Sequence, residues 1–290
     1  MGTFRIVGVI GAATVASALL QGAPVPTAHA ERCPDAKVIF ARGTTEMPGL
    51  GPTGDAFVNS LQSQVGPKSV EVSPVNYPAT TDFRTAVDGI NDARAQILAT
   101  AASCPDTKMV LGGFSQGAAV MGFVTANVVP EGVTALNVPT PMPLDVADNV
   151  AAVALFGKPS ARFMRAINDP QIVIGPKYVD KAVELCVDDD LVCDPDGRSF
   201  GIHSRYPEVG MADQGATQVA HKLQASWAAD AAEADEPVTP APAEAPAPAL
   251  LSVLAPADVP PAHIPGATPG PTGPPPGPAP APPSSPPFAP

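Results

Sequence analysis

The chain has 290 residues, a formal charge of −12 and four cysteines. Acidic residues outnumber basic ones 28 to 16. Phosphate binding needs a basic patch, so nucleic acid and anionic surfaces are excluded as charge-driven partners.

Residues 1–30 carry one positive residue (Arg5), an apolar run from Ile6 to Leu20 and a closing Ala28-His29-Ala30. That is the pattern of a secretory signal peptide with cleavage after Ala30. The apolar run is short for a membrane span and rich in Gly and Ala, so no stable membrane insertion is expected. Residues 229–290 hold more than half of the 39 prolines and no Lys or Arg. Such a segment has too little apolar surface to offset its ordering entropy, which predicts a disordered Pro/Ala-rich tail. The tail is a candidate for cell-wall association.

Residues 31–228 remain, an ordinary size for one domain with its own core. They hold 15 basic and 22 acidic residues, a charge of about −7. Four cysteines in an exported chain read as two disulfides, and no close C-x-x-C pair argues for zinc.

Within this region strand-like and helix-like runs alternate. AKVIFARG (36–43) is an apolar run closed by Gly, and DAFVNSLQSQVG (55–66) has helical spacing with Asp55 as N-cap. SVEVSPVNYPA (69–79) is strand-like; residues 83–104 place Ala86, Ile90, Ala93 and Ile97 at helical spacing. TKMVLGGFS (107–115) is a strand and QGAAVMGFVTANVV (116–129) a helix. VAAVALFGKP (150–159) and KAVELC (181–186) are two more strands, and GATQVAHKLQASWAA (215–229) is a closing amphipathic helix. The alternation predicts a mainly parallel sheet with helices on both faces, joined by right-handed crossovers.

Gly113-Phe114-Ser115-Gln116-Gly117 falls between a strand and a helix, as G-x-S-x-G does in a nucleophile elbow. A tight turn there lifts the serine hydroxyl above the helix N-terminus, and the Gln116 N–H faces the place where an oxyanion would form. Of the four histidines, His29 lies in the signal and His263 in the tail. His221 sits within the last helix and reads as a partly exposed helical residue. His203, in the loop RSFGIHSRYP, is the base by elimination and position. The acid should lie between Ser115 and His203. The stretch CVDDDLVC offers Asp188, Asp189 and Asp190, and position alone does not choose among them. A calcium site with Asp194 and Asp196 fits poorly, because the spacing is not that of a calcium loop. Thr44, in the loop after the first strand, is a candidate for the second oxyanion donor.

With FARGTTE, GGFSQGAAV, CVDDDLVC and HSRY on one chain, the sequence resembles the cutinases, in particular the secreted cutinase-like esterases of mycobacteria and related actinobacteria. The resemblance covers most of 33–206. It implies a three-layer α/β/α hydrolase-type sandwich, with Ser115 as nucleophile, Asp190 as acid and His203 as base. It implies Thr44 and Gln116 for the oxyanion hole, and the disulfides Cys33–Cys104 and Cys186–Cys193. The residue before the acid, often Gly in the family, is Asp189 here. The implied activity is hydrolysis of short- to medium-chain acyl esters, lipid esters among them, by a monomer needing neither metal nor organic cofactor. No long apolar lid is evident, so no sharp activation at an oil–water interface is expected. Two other readings use the same residues: an envelope acyltransferase, and a wall-associated module that no longer catalyses.

Overall fold

Five short runs rich in Val, Ile, Leu, Phe and Ala form the centre of the molecule. In the computed structural model, which describes residues 33–131, 133 and 138–235, they pair as a single parallel sheet of order β2-β1-β3-β4-β5. The strands are β1 (Ala36–Ala41), β2 (Val70–Pro74), β3 (Lys108–Phe114), β4 (Val150–Phe156) and β5 (Ala182–Leu185). The helices are α1 (Gly51–Gln64), α2 (Ala86–Ser103), α3 (Gln116–Val124), α4 (Ala161–Ala166) and α5 (Met211–Asp235).

The central strands β3, after Lys108, and β4 are apolar throughout because both faces of the sheet are covered there, whereas the edge strands β2 and β5 carry Glu71, Ser73 and Glu184. Side chains alternate across a strand, so each strand feeds two cores. Ile39, Leu111, Val153 and Leu155 pack with Ala93 and Ile97 of α2 and Val120 and Met121 of α3. Val38, Phe40, Val110, Ala154 and Phe156 pack with Phe57 and Leu61 of α1 and Val219 and Leu223 of α5. This is the three-layer α/β/α sandwich the resemblance implies, and the sheet is parallel at every pairing among the described residues.

Several boundaries differ from the sequence reading. Helix α1 begins at Gly51 and carries Pro52 in its first turn, where a missing N–H costs nothing; Asp55 therefore lies inside the helix and does not cap it. Helix α3 stops at Val124, where Thr125 turns its hydroxyl back onto the Met121 and Gly122 carbonyls. Helix α4 was not foreseen, and its six residues, capped by Ser160, are too short to show a period. Helix α5 starts four residues before the predicted Gly215 and runs six past the predicted Ala229, to Asp235, so the first residues assigned to the tail are helical. The signal segment, His29, His263 and the tail beyond Asp235 lie outside the described residues.

Both disulfides form with the implied pairing, Cys33–Cys104 and Cys186–Cys193, and no described cysteine is free. No described helix is long and apolar enough to cross a membrane.

Candidate active site

Parallel strands all end on one side, and ligand sites in such sheets lie beyond those carboxyl ends, here called the mouth. Strand β3 delivers Ser115 there and α3 starts at the next residue. Ser115 has φ 54° and ψ −116°, a conformation L-residues rarely hold. Its N–H donates to the Phe156 carbonyl (2.9 Å) and its carbonyl accepts from Ala119 (3.0 Å), so strand and helix hold the turn from both sides. A side chain at Gly113 would strike the Gly117 backbone, and one at Gly117 would strike the Ala41 and Arg42 carbonyls. Only glycine lets the helix, the strand and the β1 loop approach so closely.

His203 reaches the serine from the loop between β5 and α5. Its Nε2 lies 2.7 Å from Ser115 Oγ and its Nδ1 2.7 Å from Asp190 Oδ2. The ring stacks on Phe114, with centroids 5.0 Å apart. His221 is exposed on α5 and takes no part.

The three aspartates are separated by the fold. Asp188 is exposed. Asp189 has φ 67°, and this explains why glycine can stand there; aspartate is among the few other residues that visit this region. Its carboxylate turns away from the histidine and accepts the Arg198 N–H at 3.0 Å. Asp190 is fully buried and faces His203. Burial alone would push the Asp190 carboxyl up. Hydrogen bonds from His203, from the Val192 N–H (2.9 Å) and from the Tyr206 hydroxyl (2.8 Å) outweigh it and hold the group below its ordinary value.

Tyr206 is a participant the sequence did not assign a role. It is wholly buried, donates to Asp190 Oδ2 and accepts the Val187 N–H at 3.3 Å. Burial, and then the bond to Asp190, push its phenol far above the usual range, so it stays a donor. The only signal was its position three residues after the histidine.

Thr44 is half-buried in the loop after β1, the loop that packs against Gly117. A second unforeseen group supports this loop. Arg42 is buried and donates to the carbonyls of Glu46 (2.8 Å) and Tyr77 (2.6 Å), with its guanidinium over the Tyr77 ring. Tyr77 returns its hydroxyl proton to the Arg42 carbonyl, and the Glu46 carboxylate accepts the Gly43 N–H at 2.6 Å. Burial raises the Glu46 carboxyl, opposed by that N–H and by Arg42. Gln116 carries more than a backbone N–H. Its side-chain amide donates to the Thr80 carbonyl at 2.9 Å and ties the Thr80 segment to the elbow.

The ligand-type atoms of Cys186, Asp190 and Cys193 lie within 4.8 Å of one another, but they do not make a metal site. The two sulfurs are bonded to each other and Asp190 is committed to His203 and Tyr206.

The fold and this hydrogen-bonded serine define an α/β-hydrolase-type protein. A cutinase family model matches residues 32–223, and the chain belongs to the cutinase family. It is 53% identical over 167 residues to a probable carboxylesterase, Culp5, of Mycobacterium tuberculosis, covering 58% of this chain and 95% of that one. It is 46% identical over 224 residues to carboxylesterase Culp1 of Mycobacterium bovis, covering 76% and 95%. A phospholipase, Culp4, of Mycobacterium tuberculosis is 41% identical over 219 residues, covering 76% and 92%. Among solved structures, a Trichoderma reesei cutinase bound to a phosphonate inhibitor is similar at a TM-score of 0.50 and 28% identity, covering 66% of this chain and 77% of that one. An acetyl xylan esterase shares the fold at a TM-score of 0.56 and 23% identity, covering 66% and 100%. The chain is therefore a serine carboxylic ester hydrolase.

Proposed function

We propose that this hydrolase cleaves short- to medium-chain acyl esters through Ser115, His203 and Asp190, by way of a covalent acyl-enzyme. The observation that carries this reading is the unbroken chain of two 2.7 Å hydrogen bonds from Ser115 through His203 to Asp190, set on a strained elbow. In the first step Ser115 Oγ attacks the ester carbonyl as His203 Nε2 takes its proton. Asp190 holds the imidazole with Nδ1–H toward it, keeping Nε2 free to act as base. The carbonyl oxygen becomes an oxyanion held by donors from Gln116 and Thr44; as the first residue of α3, Gln116 has an N–H with no partner inside the helix. His203 then protonates the departing alcohol. In the second step His203 deprotonates water, which attacks the acyl carbon, and Ser115 recovers its proton as the acid leaves.

Two intact disulfides suit an oxidising compartment, which supports the reading of residues 1–30 as an export signal. Secretion, wall association through the tail and a monomeric state belong to this proposal. The test is a fluorophosphonate probe on the folded, disulfide-intact protein, with the modified peptide mapped by mass and an acyl ester series run alongside. Labelling at Ser115, with both labelling and turnover lost in Ser115→Ala, is the expected result. A folded protein that does not label would overturn the triad.

A further inference from the structure

Helices α2 and α3 do not close against each other along their whole length. Between them lies a cavity of about 150 Å³, walled by Ala86 and Ile90 of α2, Ala119 and Phe123 of α3, and Met164 of α4. A largely apolar slot of this size has room for a solute of roughly benzene size, or about four to six carbons of an alkyl chain. Its outer wall includes Val128 and Val129, which are large, apolar and solvent-exposed.

Charge is distributed unevenly along this slot. Arg94 lines it, half-buried, eight residues along α2 from Ala86 and so about 12 Å further from the mouth. Its Nε donates to the Thr140 carbonyl at 3.2 Å, and no carboxylate among the described residues pairs with it. At the other end Arg84 and Asp169 line the slot; Asp82, which precedes α2, holds Arg84 through both carboxylate oxygens and lies within electrostatic reach of Asp169, so this end keeps a net negative charge. An anionic head is thus drawn to Arg94 and repelled from the Asp82–Asp169 end.

We infer that this slot is a binding site for alkyl monocarboxylates of about four to six carbons, with the carboxylate on Arg94 and the chain lying toward Ala119. With Nε on Thr140 and no described carboxylate paired with it, the guanidinium has its two terminal Nη groups to match a carboxylate, and an alcohol or neutral ester end cannot use that charge. This is the chemical class of the acid released by the proposed ester hydrolysis. That identification rests on the proposed reaction, whereas the binding itself does not.

The experiment titrates butyrate, pentanoate, hexanoate and hexanol into full-length disulfide-intact protein, following binding by calorimetry and by the methyl NMR signals of Ile90 and Met164. Ser115→Ala is run in parallel to separate the slot from the reaction. Saturable one-to-one binding of hexanoate is expected in both proteins, tightening about fourfold per methylene from butyrate. Arg94→Gln should weaken hexanoate about tenfold and leave hexanol unchanged. Ile90→Phe should fill the slot and abolish binding. If that variant does not fold, Arg94→Gln alone carries the test. Absence of saturable binding, equal hexanoate binding after Arg94→Gln, or loss of binding on fluorophosphonate labelling of Ser115 would each overturn the inference. The last result would mean that the chain had occupied the reaction site instead.

Discussion

At the floor of the sheet, where the strands begin, Cys33 is bonded to Cys104 across 71 residues; at the mouth, Cys186 is bonded to Cys193 across seven. The floor is also closed by Asp35, which accepts from Lys68 Nζ (2.7 Å) and from both the N–H and the hydroxyl of Ser69 (2.8 Å each). Trp227 of α5 donates to the Asp35 carbonyl. These contacts join the segment before β1 to α2 and α5. The mouth disulfide joins nothing distant. It closes a turn in which one aspartate is left-handed and the next is buried against His203. The comparison separates two uses of the same bond. A long loop removes much entropy from the unfolded chain, whereas a short one fixes a side chain.

The largest expected effect tests the mouth without touching its scaffold. Ser115→Ala should lower ester turnover by roughly 10⁴-fold or more and leave the melting temperature at or above that of the parent, since a strained residue needs no hydroxyl to fold. Both are read by hydrolysis of a short-chain ester and by thermal melting. Next, the double variant Cys186→Ser/Cys193→Ser should cut kcat by roughly 10- to 100-fold, because a small displacement of Asp190 misorients His203. In the chain-entropy picture it should cost about 2.5 kcal/mol of stability, against about 4 kcal/mol for Cys33→Ser/Cys104→Ser. The second pair should leave kcat nearly intact where the protein is folded. Denaturant unfolding and kinetics on both pairs check this, and equal losses of kcat would erase the distinction between floor and mouth. Tyr206→Phe keeps the ring but removes one donor from Asp190. A drop in kcat of roughly tenfold is expected, on the scale of one charge-assisted hydrogen bond, with KM little changed.

The smallest effect concerns acid. The Asp35 carboxyl is lowered to about 2 by the bond from Lys68 and those from Ser69. Its folded value lies below the ordinary 3.8, so its contribution is present above pH 4 and is lost as pH falls from about 4 to about 2. Asp190 is lowered as well and acts in the same direction. Melting temperature measured across this window should fall, and Asp35→Asn should flatten part of the decline.

Much of this was legible in the sequence. Alternating apolar strands and helices give a parallel three-layer sheet because burial on both faces leaves few other arrangements, and the small residues around Ser115 announce a turn that only they permit. The choice among Asp188, Asp189 and Asp190 was not legible from the residues alone. Three identical side chains in a row differ only in where a turn aims them, and the left-handed Asp189 sets that aim. Nor did Arg42 or the Gln116 amide show their use. Their partners are the backbone carbonyls of Glu46, Tyr77 and Thr80, and carbonyls carry no mark in a sequence. The resemblance implied Asp190 as the acid and the disulfide pairing; the pairing forms, and the burial of Asp190 against His203 supports the proposed role.

Helix α5 passes Trp227 at the floor, and Asp230 pairs there with Lys108, the first residue of β3. Ser115 follows the last residue of that strand, about 20 Å away at a strand's usual rise. Cys33 lies at the same floor. An immobilising support, a fusion partner or a surface tether attached at Cys33 or near Asp230 would therefore pull from beneath, leaving the mouth around Ser115 clear for an approaching ester.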